Sequence, residues 1–147
     1  MIKSVVAHLH FDGRSDEAIA LYQHALGAKV EACMRWSQRP GGAPSDEDAN
    51  LVMHARLGIG QGAALLLADV PKSAPCPGRP NGTLLLEFDH VAELTACFDK
   101  LADGGRVVMG VHAAFWGATF AMVDDRLGVS WMLICENSPG SGHAAPA

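Results

Sequence analysis

The sequence predicts an α+β fold assembled from two copies of a βαβββ module, a pseudo-symmetric pair able to enclose a cavity between its halves. Three observations lead there. Leu9, Phe11, Asp12, Ala25, Gly27, Lys29 and Val30 recur as Leu86, Phe88, Asp89, Ala102, Gly104, Arg106 and Val107, each pair 77 positions apart. A fixed interval over so long a stretch marks two copies of one supersecondary unit. Ala55, Leu57, Gly62, Ala63 and Leu67 then match Ala121, Val123, Gly128, Val129 and Leu133 at a second interval of 66, so the first copy carries 11 more residues (77 − 66). Within each copy, one segment of helical apolar spacing is set among segments of alternating or β-branched character.

The elements follow in order. Ser4 to Phe11 alternates and is β-branched, which predicts the first strand, and Asp12-Gly13 ends it. Ser15 or Asp16 is placed to cap a helix bearing Ala18, Ile19, Tyr22, Ala25 and Leu26 on one face, with Gly27 just past its end. The second strand runs from about Lys29 to Trp36. The Pro/Gly/Ser-rich stretch Ser37 to Asn50 holds the extra residues of copy one. Leu51 to Ile59 and Ala63 to Val70 flank Gly60-Gln61-Gly62, a hairpin signature. Pro71 to Pro80 links the modules.

Copy two repeats the order: strand Thr83 to Phe88, helix Val91 to Ala102, strand Arg106 to Val111, and two strands, Gly117 to Val123 and Val129 to Cys135. Module one thus covers about 1–70 and module two about 81–136, forming one domain over 1–136. The Gly/Ser/Pro/Ala-rich tail, 137–147, is expected to be disordered.

A chain of 147 residues suits one domain and can bury roughly two-thirds of its unfolded surface. The net charge of −5, without a local run of Lys or Arg, argues against a nucleic-acid partner. No apolar run approaches the roughly 20 residues of a membrane helix, and the first residues carry no secretory pattern, so a cytoplasmic protein is expected. Cys33, Cys97 and Cys135 fall in apolar segments and read as reduced, buried thiols, and no CxxC pair occurs. Cys76, between two prolines, reads as an incidental loop cysteine, since no Lys, Arg or His adjoins it to lower its pKa.

The run from Phe115-Trp116-Gly117 through Asp124-Asp125-Arg126-Leu127-Gly128 to Trp131-Met132-Leu133 resembles the C-terminal signature of PhnB-like proteins. These are a branch of the vicinal oxygen chelate (glyoxalase/bleomycin resistance protein/dioxygenase) superfamily. Phe11-Asp12-Gly13, Glu17-Ala18, Tyr22, Leu26-Gly27-Ala28, Met53-His54-Ala55 and Asp69-Val70-Pro71 resemble the family in the same order, over about residues 4 to 136. The resemblance implies the glyoxalase/bleomycin-resistance-like fold, two βαβββ modules with a curved mixed sheet forming a cleft, together with a small-molecule ligand and commonly a homodimer.

Metal-using relatives place a ligand on the first and last strand of each module. The resemblance puts those positions at Val6, Leu66, Thr83 and Met132. Val and Leu carry no donor, Thr is a poor one, and a thioether suits soft copper. The expected metal set is therefore none, with no cofactor, although a displaced site using His8 is conceivable.

Other polar residues on strands are ligand-binding candidates. His8 and His10 alternate with Ala7, Leu9 and Phe11, which fits imidazoles lining a cavity and equally fits a half-solvated sheet face. His54 and Arg56 share the opposite parity from Met53, Ala55 and Leu57; an Arg beside a His suits an anionic or carbonyl-bearing ligand. Arg35 and Trp36 end one strand, and Phe115 and Trp116 enter another, where they serve either a cavity mouth or interface packing. Trp131 is assigned to the core. Glu87, matching His10 across the repeat, joins His8, His10 and His54 as the acid–base candidates.

Two function classes remain. The first is a metal-free small-molecule-binding module with a resistance or sequestration role. The second is a lyase or isomerase acting on a small carbonyl compound, with His or Glu as proton carrier or with a divergent or displaced metal site. A methyltransferase finds no support, because Gly58-Ile59-Gly60-Gln61-Gly62 falls in a hairpin rather than between a strand and a helix.

Overall fold

The structure, a computed structural model, describes residues 1–74 and 81–136. Cys76 and the tail 137–147 lie outside the described residues. The chain divides into two compact units, one up to Gly78 and one from Arg79. The first contains β1 (Ala7–Phe11), α1 (Ser15–Leu26), β2 (Lys29–Arg35), β3 (Val52–Ile59) and β4 (Ala63–Asp69). The second contains β5 (Leu84–Phe88), α2 (Val91–Ala102), β6 (Arg106–Ala113), β7 (Ala118–Asp124) and β8 (Ser130–Glu136). Each unit is a four-stranded mixed sheet, ordered β1-β4-β3-β2 and β5-β8-β7-β6. These are the two βαβββ modules.

The registers repeat as the sequence intervals require. Ala7 pairs with Leu65 in the parallel β1/β4 ladder, and Leu84 with Trp131 in β5/β8. Ala55 pairs with Leu67 in the antiparallel β3/β4 ladder, and Ala121 with Leu133 in β7/β8. Since side chains alternate across a sheet, equivalent residues of the two copies occupy equivalent faces.

In the first unit α1 packs on β3 and β4, burying Ala18, Ile19, Leu21 and Tyr22, and Ala55, Leu57, Leu65 and Leu67 are buried in the sheet. Gly27 ends α1 in the left-handed conformation (φ 65°, ψ 26°), which lets the Ala28 N–H return to the Tyr22 carbonyl at 3.2 Å. In the second, α2 packs chiefly on β7 and β8. Leu94, Cys97, Phe98 and Leu101 are buried in the helix, and Val123, Trp131 and Leu133 in the sheet. Trp131 is a core residue.

Several boundaries differ from those expected. β1 begins at Ala7 rather than Ser4, since β4 supplies partners only from Leu65 onward. The helix cap is neither Ser15 nor Asp16: Arg14 occupies the N-cap position without a side-chain bond, and Ser15 is the first helical residue. A distant carboxylate replaces the cap, since Asp69 Oδ1 accepts the Ser15 N–H at 2.9 Å. Trp36 leaves β2 and opens a 3-10 turn, Trp36–Gln38, and a second turn, Asp46–Asp48, lies within the long insertion. Cys33 is exposed, because β2 is the sheet edge, whereas Cys97 and Cys135 are buried. Burial pushes the Cys97 thiol up to about 11, which keeps it protonated and unreactive.

Candidate functional site

On the first sheet, Ala7, Leu9 and Phe11 turn toward α1, and alternation sends His8 and His10 to the opposite face. The ladder carries that face across the sheet. His8 pairs with Leu66, Leu66 pairs with Arg56, and His10 pairs with Ala68. His54 follows Arg56 on the same face of β3, toward the end of the strand nearer Ala68. Three of the chain's seven histidines therefore share one face with Arg56, over a floor of Ala64, Leu66 and Ala68.

The imidazoles of His8 and His10 stack with centroids 4.4 Å apart and planes tilted by 32°. Partial burial first, and then the nearby imidazoles of His10 and His54, hold the His8 pKa below the ordinary histidine value. Arg56 Nε donates to Glu31 Oε1 of β2 at 3.0 Å. Gly58 makes room for that carboxylate, since a Cβ there would stand 3.0 Å from the Glu31 Cδ.

Arg35 and Trp36 fasten the insertion to the unit. Arg35 Nη1 donates to Asp16 Oδ2 at 2.6 Å and to the Asn50 carbonyl at 3.0 Å. Trp36 Nε1 donates to the Asp69 carbonyl at 3.1 Å, and the Arg39 guanidinium lies 5.4 Å from its ring centroid. Each side chain thus has a structural task within the unit, where the sequence offered either a cavity mouth or interface packing.

On the second sheet the face turned away from α2 carries an apolar cluster. Ala118, Phe120 and Ile134 form a buried cluster, with Trp116, Met122 and Met132 packed against it. Phe115, 95% exposed, meets Trp116 edge-on at 5.1 Å, Trp116 meets Phe120 at 5.6 Å, and Phe120 meets His112 at 6.1 Å. The Trp116 indole N–H is buried without an acceptor among the described residues. Phe120 was not foreseen as the centre of this row; its alternation with Ala121 on β7 was the available signal. Glu87 projects from β5 with the parity of Leu85 and pairs with Ile134. A depression of about 400 Å³ in this unit shares Met122 with that cluster and is lined also by Thr83, Arg106, Asp124, Ser130 and Trp131. Asp124 there accepts from Arg106 at 2.9 Å and from Ser130 at 2.7 Å.

Val6 and Thr83 stand one residue before β1 and β5, while Leu66 and Met132 lie on β4 and β8, paired with His8 and Leu85. The four side chains do not fit a hard or borderline cation. Among the described residues, no three His, Cys, Asp or Glu side chains are grouped to hold a metal. No described helix is long and apolar enough to cross a membrane. Gly60 and Gly62, with φ of 55° and 84°, form the β3–β4 turn, so that glycine-rich run precedes a strand.

Residues 6–133 match the family model of the Glyoxalase/Bleomycin resistance protein/Dioxygenase superfamily. The chain belongs to this superfamily. It is similar to Protein YjdN of Escherichia coli K12, 29% identical over 135 residues that span 86% of this chain and 90% of that protein. Among solved structures, protein PA1353 of Pseudomonas aeruginosa shares 36% identity with a TM-score of 0.83, covering 92% of this chain and 98% of that one. A Bacillus cereus PhnB protein, described as a putative 3-demethylubiquinone-9 3-methyltransferase, shares the fold at 22% identity and a TM-score of 0.74, covering 90% and 99%. Glyoxalase-superfamily membership and PhnB-like neighbours thus agree with the two-module architecture.

Proposed function

We propose that this superfamily member is a metal-free small-molecule-binding protein with a sequestration or resistance role, acting in the cytoplasm as a homodimer and needing no resident cofactor. One observation carries the reading. The face shared by β1, β4 and β3 offers polar anchors, His8, His10, His54 and Arg56, over an apolar floor, while the positions that the resemblance aligns with the cation ligands of metal-using relatives are Val6, Leu66, Thr83 and Met132. Binding of a small ligand needs shape and a few such anchors, without a reactive centre. His8, held below the ordinary histidine pKa and so neutral at pH 7, supports a second reading as a proton carrier in a lyase or isomerase acting on a carbonyl compound.

Elemental analysis of untagged protein, paired with a thermal-shift screen of small organic compounds with and without EDTA, tests the proposal. Ligand-dependent rises in Tm that EDTA leaves unchanged are expected. Stoichiometric, tightly held metal overturns it, and turnover of a screened carbonyl compound selects the second reading.

A further inference from the structure

We infer that the face of the second sheet turned away from α2 binds a neutral, flat aromatic molecule bearing a hydrogen-bonding oxygen, in the depression beside Arg106 and Asp124. The inference rests on the small-molecule-binding reading. It names a site built from residues of the second unit alone and the chemical class of the ligand. Cross-strand registers divide this face into three rungs. Arg106 stands opposite Asp124, and Asp124 opposite Ser130, in the polar rung. The next rung runs from Met122 to Met132 to Leu85. The third runs from His112 through Phe120 and Ile134 to Glu87, and Trp116 packs beside Phe120 with ring centroids 5.6 Å apart. Successive rungs are two residues apart along β7, about 7 Å. A ring set over the two methionines therefore lies beside Phe120 and reaches the polar rung with a single substituent.

The depression, about 400 Å³, spans the polar and methionine rungs. Its volume falls at the small end of ligand pockets, roughly 300–1,000 Å³, and suits a body of one or two rings. Thioethers are polarizable, adapt to a ligand surface and make favourable contacts with aromatic rings. The aromatic groups of the adjoining rung already pack edge to face, and a ligand ring extends that row. The polar rung sets the head. Arg106 donates to Asp124 at 2.9 Å, and Ser130 Oγ donates to the same carboxylate at 2.7 Å. Among the described lining residues these are the two charged ones, and they offset each other, so the rim favours an uncharged head. The Arg106 side chain is 72% exposed, and a guanidinium holds five N–H donors in a fixed fork. Its bond to Asp124 orients that fork over the rim and leaves donors for a ligand oxygen.

The test titrates the full chain at pH 7 with 2-naphthol, using calorimetry and the NMR resonances of the methionine methyl groups, assigned with volume-conserving Met→Leu variants. Decahydro-2-naphthol serves as the saturated counterpart and 2-naphthoate as the anionic one. Expected are saturable 2-naphthol binding, shifts at Met122 and Met132 with Met34 and Met53 of the first unit unmoved, and weaker binding of both counterparts. Arg106→Met keeps the apolar stem and removes the donors, so it should weaken 2-naphthol binding about tenfold, the worth of one hydrogen bond. Lys100→Met, on the exposed last turn of α2, leaves binding unchanged. Circular dichroism confirms that each variant folds.

Shifts at Met34 or Met53 in place of Met122 and Met132, or binding untouched by Arg106→Met, overturn the site while the broader reading stands. Decahydro-2-naphthol bound as tightly as 2-naphthol overturns the flat aromatic body, and 2-naphthoate bound more tightly overturns the neutral head. Absence of saturable 2-naphthol binding overturns the inference as a whole. The small-molecule-binding reading beneath it fails separately, when no compound of the wider thermal-shift screen raises the Tm.

Discussion

The carboxylate of Asp69, 1% exposed, accepts the backbone N–H of Ser15 at 2.9 Å across 54 residues of chain. Its other oxygen accepts the Val52 N–H at 3.0 Å, and its carbonyl takes the Trp36 indole N–H at 3.1 Å. One residue at the end of β4 thus secures the first turn of α1, the start of β3 and the insertion between β2 and β3. A carboxylate at a helix N-terminus also opposes the helix dipole. Asp69→Ala strands two buried backbone donors and should cost about 3 kcal/mol. Urea unfolding checks this, and an unchanged midpoint would remove Asp69 from its role.

In the second unit a different junction, between α2 and β6, is constrained sterically. A Cβ on Gly105 would collide with the Asp124 carbonyl oxygen and stand 3.1 Å from the Asp125 backbone, so the turn between α2 and β6 lies directly against the end of β7. Gly105→Ala must push backbone from backbone and should lose about 3 kcal/mol. Gly104→Ala meets only the Arg126 side chain at 3.5 Å and is opposed chiefly by its φ of 73°, a penalty of about 1 kcal/mol. Thermal melts of the two variants should separate them by several degrees, and equal losses would show that the contact is not limiting.

The contrast between these residues marks how far the sequence can be read. Paired intervals of 77 and 66 carry Ala7↔Leu65 onto Leu84↔Trp131, so the order and register of both sheets follow from the repeat. Alternation likewise grouped His8 with His10 and His54 with Arg56, because parity along a strand is a local property, but that the two pairs share one face follows from the β1/β4/β3 register. What could not be read depends on contacts distant in sequence. The helix cap comes from Asp69, the Trp36 acceptor is a backbone carbonyl 33 residues away, and Ser4 to Val6 have strand-like character but pair with no strand among the described residues. The Phe115–Trp116–Phe120–His112 row required three-dimensional adjacency between β6 and β7.

The histidine face predicts a pH dependence of stability. His8 binds its proton less readily in the folded chain than at the unfolded value near 6.5, so the unfolded state takes up more protons as pH falls. Its contribution to stability is fully present above the unfolded pKa and is lost progressively below about 6.5, as pH falls through the lower folded value. His8→Gln removes that titration. Its denaturant midpoint should therefore fall less between pH 7 and pH 5 than that of the unmodified chain. Parallel curves for the two proteins would show that His8 does not contribute.

The turn joining β7 to β8 is organised by Asp125, 3% exposed. Its Oδ1 accepts the N–H groups of Leu127 and Val129 at 2.9 and 3.1 Å, and its Oδ2 accepts Trp131 Nε1 at 2.9 Å. Trp131 is at the same time a core residue under α2, 1% exposed, so the bond ties the turn to the packing of the unit. Asp125→Ala releases three buried or half-buried donors and should cost about 4 kcal/mol, whereas Trp131→Phe keeps most of the ring volume and should cost about 2 kcal/mol. Because both substitutions remove the same indole bond, the double variant should be less destabilised than the two losses combined, by about 1 kcal/mol. Denaturant melts of the four proteins measure that coupling. Strict additivity would mean that the turn and the core are held independently.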